Sequence, residues 1–205
     1  MANVNAHLSN KFQKGRDLRP KLSFENNRVA KQALGVAFGR QMTTQLKALS
    51  YDYGFSINAG DLQDIDHKWY VTHIGLLRLA HRRKCRGIHV ETVDSLCDSA
   101  SGRYVLKATV YQSKDSSGFV GYGVADPSNV SSVVRGAEMR VAEARAVNRA
   151  LRKAYVIGIC SVEEIGANGS PMTTPPPAHK SSSSGANGNG TGSARLFAST
   201  SSIPN

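Results

Sequence analysis

The clearest hydrophobic pattern in the chain lies between residues 87 and 155, where its period changes along the sequence. Residues 103–113 alternate apolar and polar side chains, as a strand with one buried face does. Shorter stretches at 87–96 and 119–122 have the same character, and turn sequences separate the three. We therefore expect a three-stranded antiparallel β-meander.

A long amphipathic helix is predicted after the third strand. Asp126 and Pro127 end that strand, Ser128 is a suitable helix N-cap, and no further proline follows before Pro171. The apolar positions at helical spacing fall on one broad face: Val130, Val133, Val134, Ala137, Val141, Ala144, Leu151, Ala154 and Tyr155. Because such a face needs a covering surface, we expect the helix to pack on the meander as the β-β-β-α core of an α+β fold.

Extra N-terminal helices are predicted before the meander. Residues 26–50 carry apolar side chains near helical spacing, although Gly35 and Gly39 weaken this pattern. Residues 72–84 form a shorter helical stripe. Residues 1–25 are polar and basic with few apolar anchors, so we expect a flexible basic arm there.

Aromatic residues cluster after the first predicted helix, at Tyr51, Tyr53 and Phe55. They form either an edge of the core or a platform on which bases stack, and core packing is the more frequent role of such residues. A polar turn is expected next, at residues 59–66.

The chain changes character at residue 166. Residues 166–205 are rich in serine, glycine, asparagine and proline and contain no acidic residue, so we expect a disordered tail after one domain at residues 26–165. Leu196 and Phe197 are the one bulky apolar pair in the tail. They are either a docking motif for a recombinase or nuclease partner, or part of an inert end.

Composition narrows the class of partner. The formal net charge is +11 and the sequence pI is about 9.8, which favours nucleic acid over an anionic membrane surface. No apolar run reaches the length of about 18 residues that crosses a bilayer, and the first residues lack the apolar stretch of a secretory signal. We expect no membrane association.

The cysteines bear on the compartment. Cys85, Cys97 and Cys160 are odd in number and lack the spacing of a disulfide framework, which is typical of a reducing intracellular environment. We expect a cytoplasmic, nucleoid-associated protein. Import into an organelle stays open, because the first residues are basic and poor in acids.

Cations form a stripe of their own on the long predicted helix. Arg145, Arg149, Arg152 and Lys153 lie within a narrow sector of the helical wheel, with Arg135 nearby. The acids within the same helix are few, so the stripe is poorly neutralised there. It is either a solvated helix face or a surface that binds a polyanion, and we favour the second because arginine forks match phosphate geometry.

The sequence contains little that indicates an enzyme. It has no G-x-x-x-x-G-K-[ST] phosphate loop, and the G-x-G at residues 121–123 lacks the third glycine of a dinucleotide site. Asp61, Asp64 and Asp66 are a candidate metal site of a nuclease, but a polar turn explains them as well. We expect no catalytic activity, no cofactor and no metal.

A second candidate metal site has even weaker support. His81, Cys85 and His89 recur every four residues, the spacing of one helix face, but Gly87 is expected to end the helix between them.

Two motifs carry a resemblance to a known family. Residues 120–123 read V-G-Y-G at the end of a strand, and residues 149–152 read R-A-L-R near the end of the long helix, with Tyr155 following. This order resembles the Rad-fifty-two group of single-strand annealing proteins and, more distantly, phage Redβ-type annealing proteins. The similarity covers about residues 65–160.

The resemblance implies a fold, an assembly and an activity. The family has a β-β-β-α core assembled into an oligomeric ring, with single-stranded DNA in a basic groove around the outside. It pairs complementary strands without ATP in homologous recombination and DNA repair. The expected partners are therefore single-stranded DNA and further copies of the same chain.

The resemblance also assigns residues of the DNA groove. The cations of the family's helix fall on Arg149 and Arg152, whereas the lysine that precedes them in the family falls on Asn148. Lys153 or Arg145 can compensate for that lysine.

Three further positions follow from the resemblance. The groove tyrosine of the family matches Tyr70, and a lysine of a second, outer site matches Arg103. The companion of that lysine falls on Asn129, so the outer site is incomplete in this chain.

Three alternatives to annealing stay open at this point. The chain can be a module that binds single-stranded DNA or RNA without annealing it, a metal-dependent nuclease that uses the three aspartates, or a scaffold whose basic stripe binds an acidic protein.

Overall fold

The computed structural model describes residues 4–166, with side chains from residue 18 onward. The helices are α1 (Val4–Leu34), α2 (Arg40–Tyr53), α3 (His73–Arg82) and α4 (Glu138–Tyr155). The strands are β1 (Leu62–Ile65), β2 (Lys68–Val71), β3 (Gly87–Thr92), β4 (Tyr104–Tyr111) and β5 (Phe119–Ala125). Of the helices in this part of the chain, none is long and apolar enough to cross a membrane. Residues 167–205, most of the predicted tail with Leu196 and Phe197, lie outside the described range.

The predicted α+β fold is confirmed. Strands β3, β4 and β5 form an antiparallel sheet in that order, and α4 packs along one face of it. Residues that alternate along β4 turn inward toward α4 and join the core, namely Leu106, Ala108 and Val110. The predicted extra helices are also present. Helices α1 and α2 precede the sheet in sequence and pack on each other.

Helix α4 approaches β5 so closely that the two backbones touch. A Cβ atom on Gly121 would lie 2.5 Å from the carbonyl oxygen of Ala146, and one on Gly123 would lie 2.5 Å from the Ala146 nitrogen. Ala142, Ala146 and Ala150, which follow each other at four-residue intervals on α4, are fully buried. Small residues on both elements therefore set the distance between helix and sheet.

The long helix is shorter than its apolar pattern predicts. It begins at Glu138 rather than Ser128, because the chain between them forms a loop that includes a single 3-10 turn at Ser132–Val134. Asp126 Oδ1 accepts a hydrogen bond from the Ser128 backbone nitrogen at 2.9 Å, which closes a turn, and Gly136 has a positive φ of 89°. Val133 is 90% exposed, so its helical spacing is coincidental.

The N-terminal segment also differs from expectation. Residues 4–25, for which the composition predicts a flexible arm, belong to α1. The polar side chain of Asn26 can be buried in this helix because its hydrogen bonds are satisfied. Its amide nitrogen donates to Ser50 Oγ at 2.9 Å and to the Phe55 carbonyl oxygen at 2.7 Å.

A break at Gly35, with a φ of 54°, divides the helix predicted at 26–50 into α1 and α2.

The aromatic cluster after α2 divides between core and surface. Phe55 is fully buried, Tyr53 is half-buried and stacks on it with ring centroids 5.4 Å apart, and Tyr51 is 42% exposed. Core packing therefore accounts for Phe55.

A small hairpin replaces the second half of the predicted polar turn. Strands β1 and β2 pair through a two-residue turn at Asp66 and His67, which both have positive φ. The usual residues of such a turn are asparagine and glycine, so the sequence carries no strong signal for it. Trp69 on β2 anchors the hairpin, because its indole nitrogen donates to the Met42 carbonyl oxygen of α2 at 3.1 Å.

The close approach of α4 and β5 predicts a strong effect of Gly123→Ala. The added methyl group overlaps the α4 backbone, and we expect a loss of about 3 kcal/mol in the free energy of unfolding. Urea denaturation measures this loss. Gly87→Ala is the matched control, because nothing lies within 4 Å of a Cβ atom at that strand position. Equal stabilities of the two variants would contradict the steric role of Gly123.

Candidate nucleic-acid interface

Three cations of α4 reach across to the outer edge of β5. The sheet order places β5 at the edge, where its outward carbonyl groups face no strand among the described residues. The carbonyl oxygens of Val120, Tyr122 and Val124 accept hydrogen bonds from Lys153, Arg149 and Arg145 respectively, each at 2.7 Å. Four helical residues advance about 6 Å and two strand residues about 7 Å, so the two repeats match.

Arg145 is a buried clamp and not a surface cation. It is 2% exposed, and besides the Val124 carbonyl oxygen its guanidinium donates to Asn129 and to the carbonyl oxygens of Glu163 and Ile165. Burial, together with the neighbouring charge of Arg149, lowers the pKa of Arg145. The prediction that Arg145 contributes to a solvent-facing cationic stripe is therefore wrong, because loop and C-terminal carbonyl groups enclose it.

Arg149 and Arg152 share one carboxylate. Arg149 Nε donates to Glu164 Oε2 at 3.1 Å, and Arg152 Nη1 donates to Glu164 Oε1 at 2.7 Å. The two arginine side chains retain 22% and 19% exposure, whereas the Glu164 side chain has 7%. The two arginines are thus held together at the surface by a buried acid beneath them.

Glu164 is a residue that the charge pattern of the helix does not reveal, because it lies nine residues beyond the end of α4. A signal exists in the sequence, because residues 161–164 read S-V-E-E and match the S-x-x-E capping box. That box is formed, with Ser161 as its N-cap. Glu164 Oε1 accepts from the Ser161 backbone nitrogen at 3.2 Å and from the Ser161 hydroxyl group at 2.9 Å.

Asn148, at the position of the family's lysine, points into the protein. It is fully buried, and its amide nitrogen donates to Ser161 Oγ and to Glu163 Oε2, both at 2.9 Å. Its Oδ1 lies 2.6 Å from His73 Nδ1. Because an amide oxygen only accepts, His73 is the donor of this hydrogen bond, through Nδ1–H. The residue joins α4, the start of α3 and the segment around Glu163, so it presents no group to a ligand.

The remaining residues that the resemblance assigns lie in different settings. Tyr70 is 7% exposed on β2, beside Val71, whose backbone nitrogen donates to the Cys160 carbonyl oxygen at 3.1 Å. Arg103 is exposed directly before β4, where the register of Tyr104 with Ala125 places it next to the end of β5. The structure thus brings Arg149, Arg152 and Lys153 close together. It buries Arg145 and Tyr70. Arg103 lies near the Ala125 end of β5, away from the Val120 carbonyl group that Lys153 contacts.

Asn129, which stands where the resemblance places a second cation of the outer site, has a structural role. Its Oδ1 and its carbonyl oxygen both accept from Arg145, and its amide nitrogen donates to Asp126 at 2.7 Å. These bonds hold the loop before α4 against the helix.

The aspartates proposed as a nuclease site do not converge. Asp61 is 1% exposed and is paired with Arg78 at 2.9 Å, while its other oxygen accepts from the Ser56 backbone nitrogen at 3.1 Å. Asp64 lies in β1 and Asp66 in the hairpin turn. In the part of the chain that the structure describes, no three His, Cys, Asp or Glu side chains are grouped so that they could hold a metal ion, and this covers His81, Cys85 and His89 as well.

The basic end of α3 fixes helices to each other. Arg82 donates to the Tyr53 carbonyl oxygen at 3.1 Å and Arg83 donates to that of Asp52 at 2.9 Å. These carbonyl groups end α2, where cations are favourable for the helix dipole. Arg82 and Arg83 therefore have structural roles at the junction of α2 and α3.

Comparison with known proteins yields no relative. The chain matches no family model, no curated protein and no solved structure.

The pairing of Glu164 predicts a specific pH dependence of stability. Burial alone would raise the pKa of this carboxyl group, but the charge of Arg152 and hydrogen bonds from Arg152 and Ser161 outweigh it and hold the pKa below its ordinary value of 4.5. Its contribution is therefore complete above about pH 4.5 and is lost as the pH falls through the lowered value.

We expect Glu164→Gln to cost about 2 kcal/mol of unfolding free energy at pH 7 and progressively less in acid. Urea denaturation of both proteins at a series of pH values checks this. The difference between the two proteins isolates Glu164, because the other carboxylates are common to both. A difference that stays constant from neutral to acid pH would refute the assignment.

Proposed function

We propose that the protein binds single-stranded DNA and anneals complementary strands without ATP, as a relative of the Rad-fifty-two group. One observation supports this most directly. The two motifs that carry the resemblance, residues 120–123 and 149–152, are distant in sequence but pack on each other across the contact between β5 and α4. The β-β-β-α order around them is the one that the resemblance implies.

The cations of α4 that reach solvent, one exposed and two partly buried, would contact the phosphates. Arg149 and Lys153 lie along the edge of β5, Arg152 shares Glu164 with Arg149, and the chain carries a formal net charge of +11. Arg152 donates to Glu164 through Nη1 and its Nε is buried, so Nη2 is the part of its guanidinium group that would bind a phosphate. Contacts of this kind are independent of base sequence and weaken steeply with salt.

Glu164 would moderate this affinity. Its charge faces the same two guanidinium groups that a phosphate would approach, so it opposes binding electrostatically while it keeps both groups in place. Release of the strand after pairing is favoured by such a moderate affinity.

Self-association would complete the groove. Val133 is 90% exposed just before α4 and lines an open groove of about 1030 Å³ together with Leu77, Ile88 and Val90, and Met139, at the start of α4, is 48% exposed. A second copy of the chain would cover these side chains, and repetition of a head-to-tail contact closes into a ring. The mass of the purified protein, measured by light scattering, tests this part of the proposal.

Annealing by this route needs no chemical fuel. The cations reduce the repulsion between two polyanions, and a strand held in an extended form has already lost much of its conformational freedom. Base pairing then supplies the free energy. No cofactor, metal or catalytic residue enters the mechanism, and a recombinase or nuclease partner would act through the tail, which lies outside the described residues.

The decisive experiment is annealing of two complementary dye-labelled oligonucleotides without ATP or metal. Removal of both arginines alone would leave Glu164 buried without its partners, which itself destabilises the fold. The test variant is therefore Arg149→Gln/Arg152→Gln/Glu164→Gln, with Glu164→Gln as its matched control. We expect wild type to accelerate pairing, the control to bind single-stranded DNA several-fold more tightly, and the triple variant to lose acceleration by at least about tenfold.

A second control removes two exposed cations elsewhere, Arg40→Ala/Lys47→Ala on α2, and should anneal as wild type does. Tight binding without acceleration by wild type would instead indicate the alternative, a module that binds single-stranded DNA or RNA but does not anneal it. No binding at all would overturn the proposal.

A further inference from the structure

The sheet has a second face, opposite α4, that the proposed phosphate contacts do not use. Because side chains alternate along a strand, the neighbours of the inward residues of β4 and β5 point to this face. On it lie His89 and Glu91 of β3, Val105, Lys107, Thr109 and Tyr111 of β4, and Val120, Tyr122 and Val124 of β5. Val105 and Thr109 among them are buried. Among the described helices, α4 is the one that packs closely on the sheet, and it covers the other side.

Tyr122 is the exposed aromatic residue of this face. It is 48% exposed, although it lies in the middle of β5 between two buried glycines. Its own carbonyl oxygen accepts from Arg149 at 2.7 Å, so its ring is attached to the same residue that the candidate phosphate-binding arginine touches. Tyr111 is half-buried, and its ring would lie 3.1 Å from a Cβ atom on Gly118.

Charge is graded across this face. Lys153 and Arg149 lie at the outer edge of β5, Lys107 lies directly opposite Tyr122 on β4, and Glu91 on β3 accepts from Lys107 Nζ at 2.7 Å. A polyanion is therefore attracted to the β5 edge, whereas Lys107 and Glu91 neutralise each other toward β3. A strand whose phosphates follow the β5 edge would direct its bases inward, over Tyr122.

We propose that this sheet face is a base-stacking site, in which Tyr122 stacks against a base of the strand whose phosphates Arg149 and Lys153 contact. The inference rests on the proposed function and adds a contact to it. Stacking uses the flat face of a base and is tolerant of sequence. The Watson–Crick edge stays free, so a base held in this way can still pair with an incoming strand.

The test separates base contacts from phosphate contacts by the choice of ligand. An oligothymidylate and an abasic phosphodiester of equal length carry the same charge, but only the first has bases. We expect Tyr122→Ala to weaken binding of the oligothymidylate about tenfold and to leave binding of the abasic strand unchanged. Tyr122→Phe should retain wild-type affinity for both, because it keeps the aromatic ring.

The matched control is Phe24→Ala, which removes an aromatic ring of 73% exposure on α1 and should change neither affinity. Equal binding of oligothymidylate by Tyr122→Ala and wild type would overturn the stacking site while the annealing function stands. Equal weakening on both ligands would also overturn it, since the loss would not involve bases. If wild type binds neither ligand, the proposed function fails as well.

Discussion

Direct contact between two backbones is the constraint on which the rest of this fold depends. Gly121 and Gly123 leave no side chain between β5 and α4, and the alanines that face them are equally small. At this distance a helical arginine or lysine reaches past its own helix to the edge of the neighbouring strand. With a bulkier residue between the two elements, the same cations would extend into solvent as separate side chains. The V-G-Y-G sequence is therefore a packing requirement first, and it positions charge as a consequence.

The same closeness accounts for how the protein manages an exposed sheet edge. Outward carbonyl groups of an edge strand attract other strands, and natural proteins protect them in various ways. Here Lys153, Arg149 and Arg145 protect three of them, in order from the surface to the interior. Arg145, the buried one of the three, also donates to the carbonyl oxygens of Glu163 and Ile165. It therefore fixes the segment that carries Glu164. Stability and surface charge thus arise from one set of side chains.

Sequence patterns predicted those parts of the fold that depend on local periodicity. The alternation at 103–113 and the helical face of α4 are strong signals, and each corresponds to an observed element. The errors arise where tertiary contacts decide. The helix wheel could not distinguish Arg145 from Arg149, because both lie in one sector and only the loop around Asn129 determines which is enclosed. Similarly, the charges of Arg149 and Arg152 are balanced by Glu164, which lies beyond the helix in sequence and packs back against it.

The matched repeats of α4 and β5 have a consequence for how this chain can vary. Each step of four residues on the helix corresponds to two on the strand, through successive contacts that end at Val124. Insertion or deletion of a single residue within either element would displace every contact beyond it at once, and would also turn a side chain into the space that Gly123 leaves open. The loop between β5 and α4 carries no such register, apart from the anchor at Asn129. Length changes in related sequences should therefore gather in that loop, while the paired elements keep a constant length even where their residues differ.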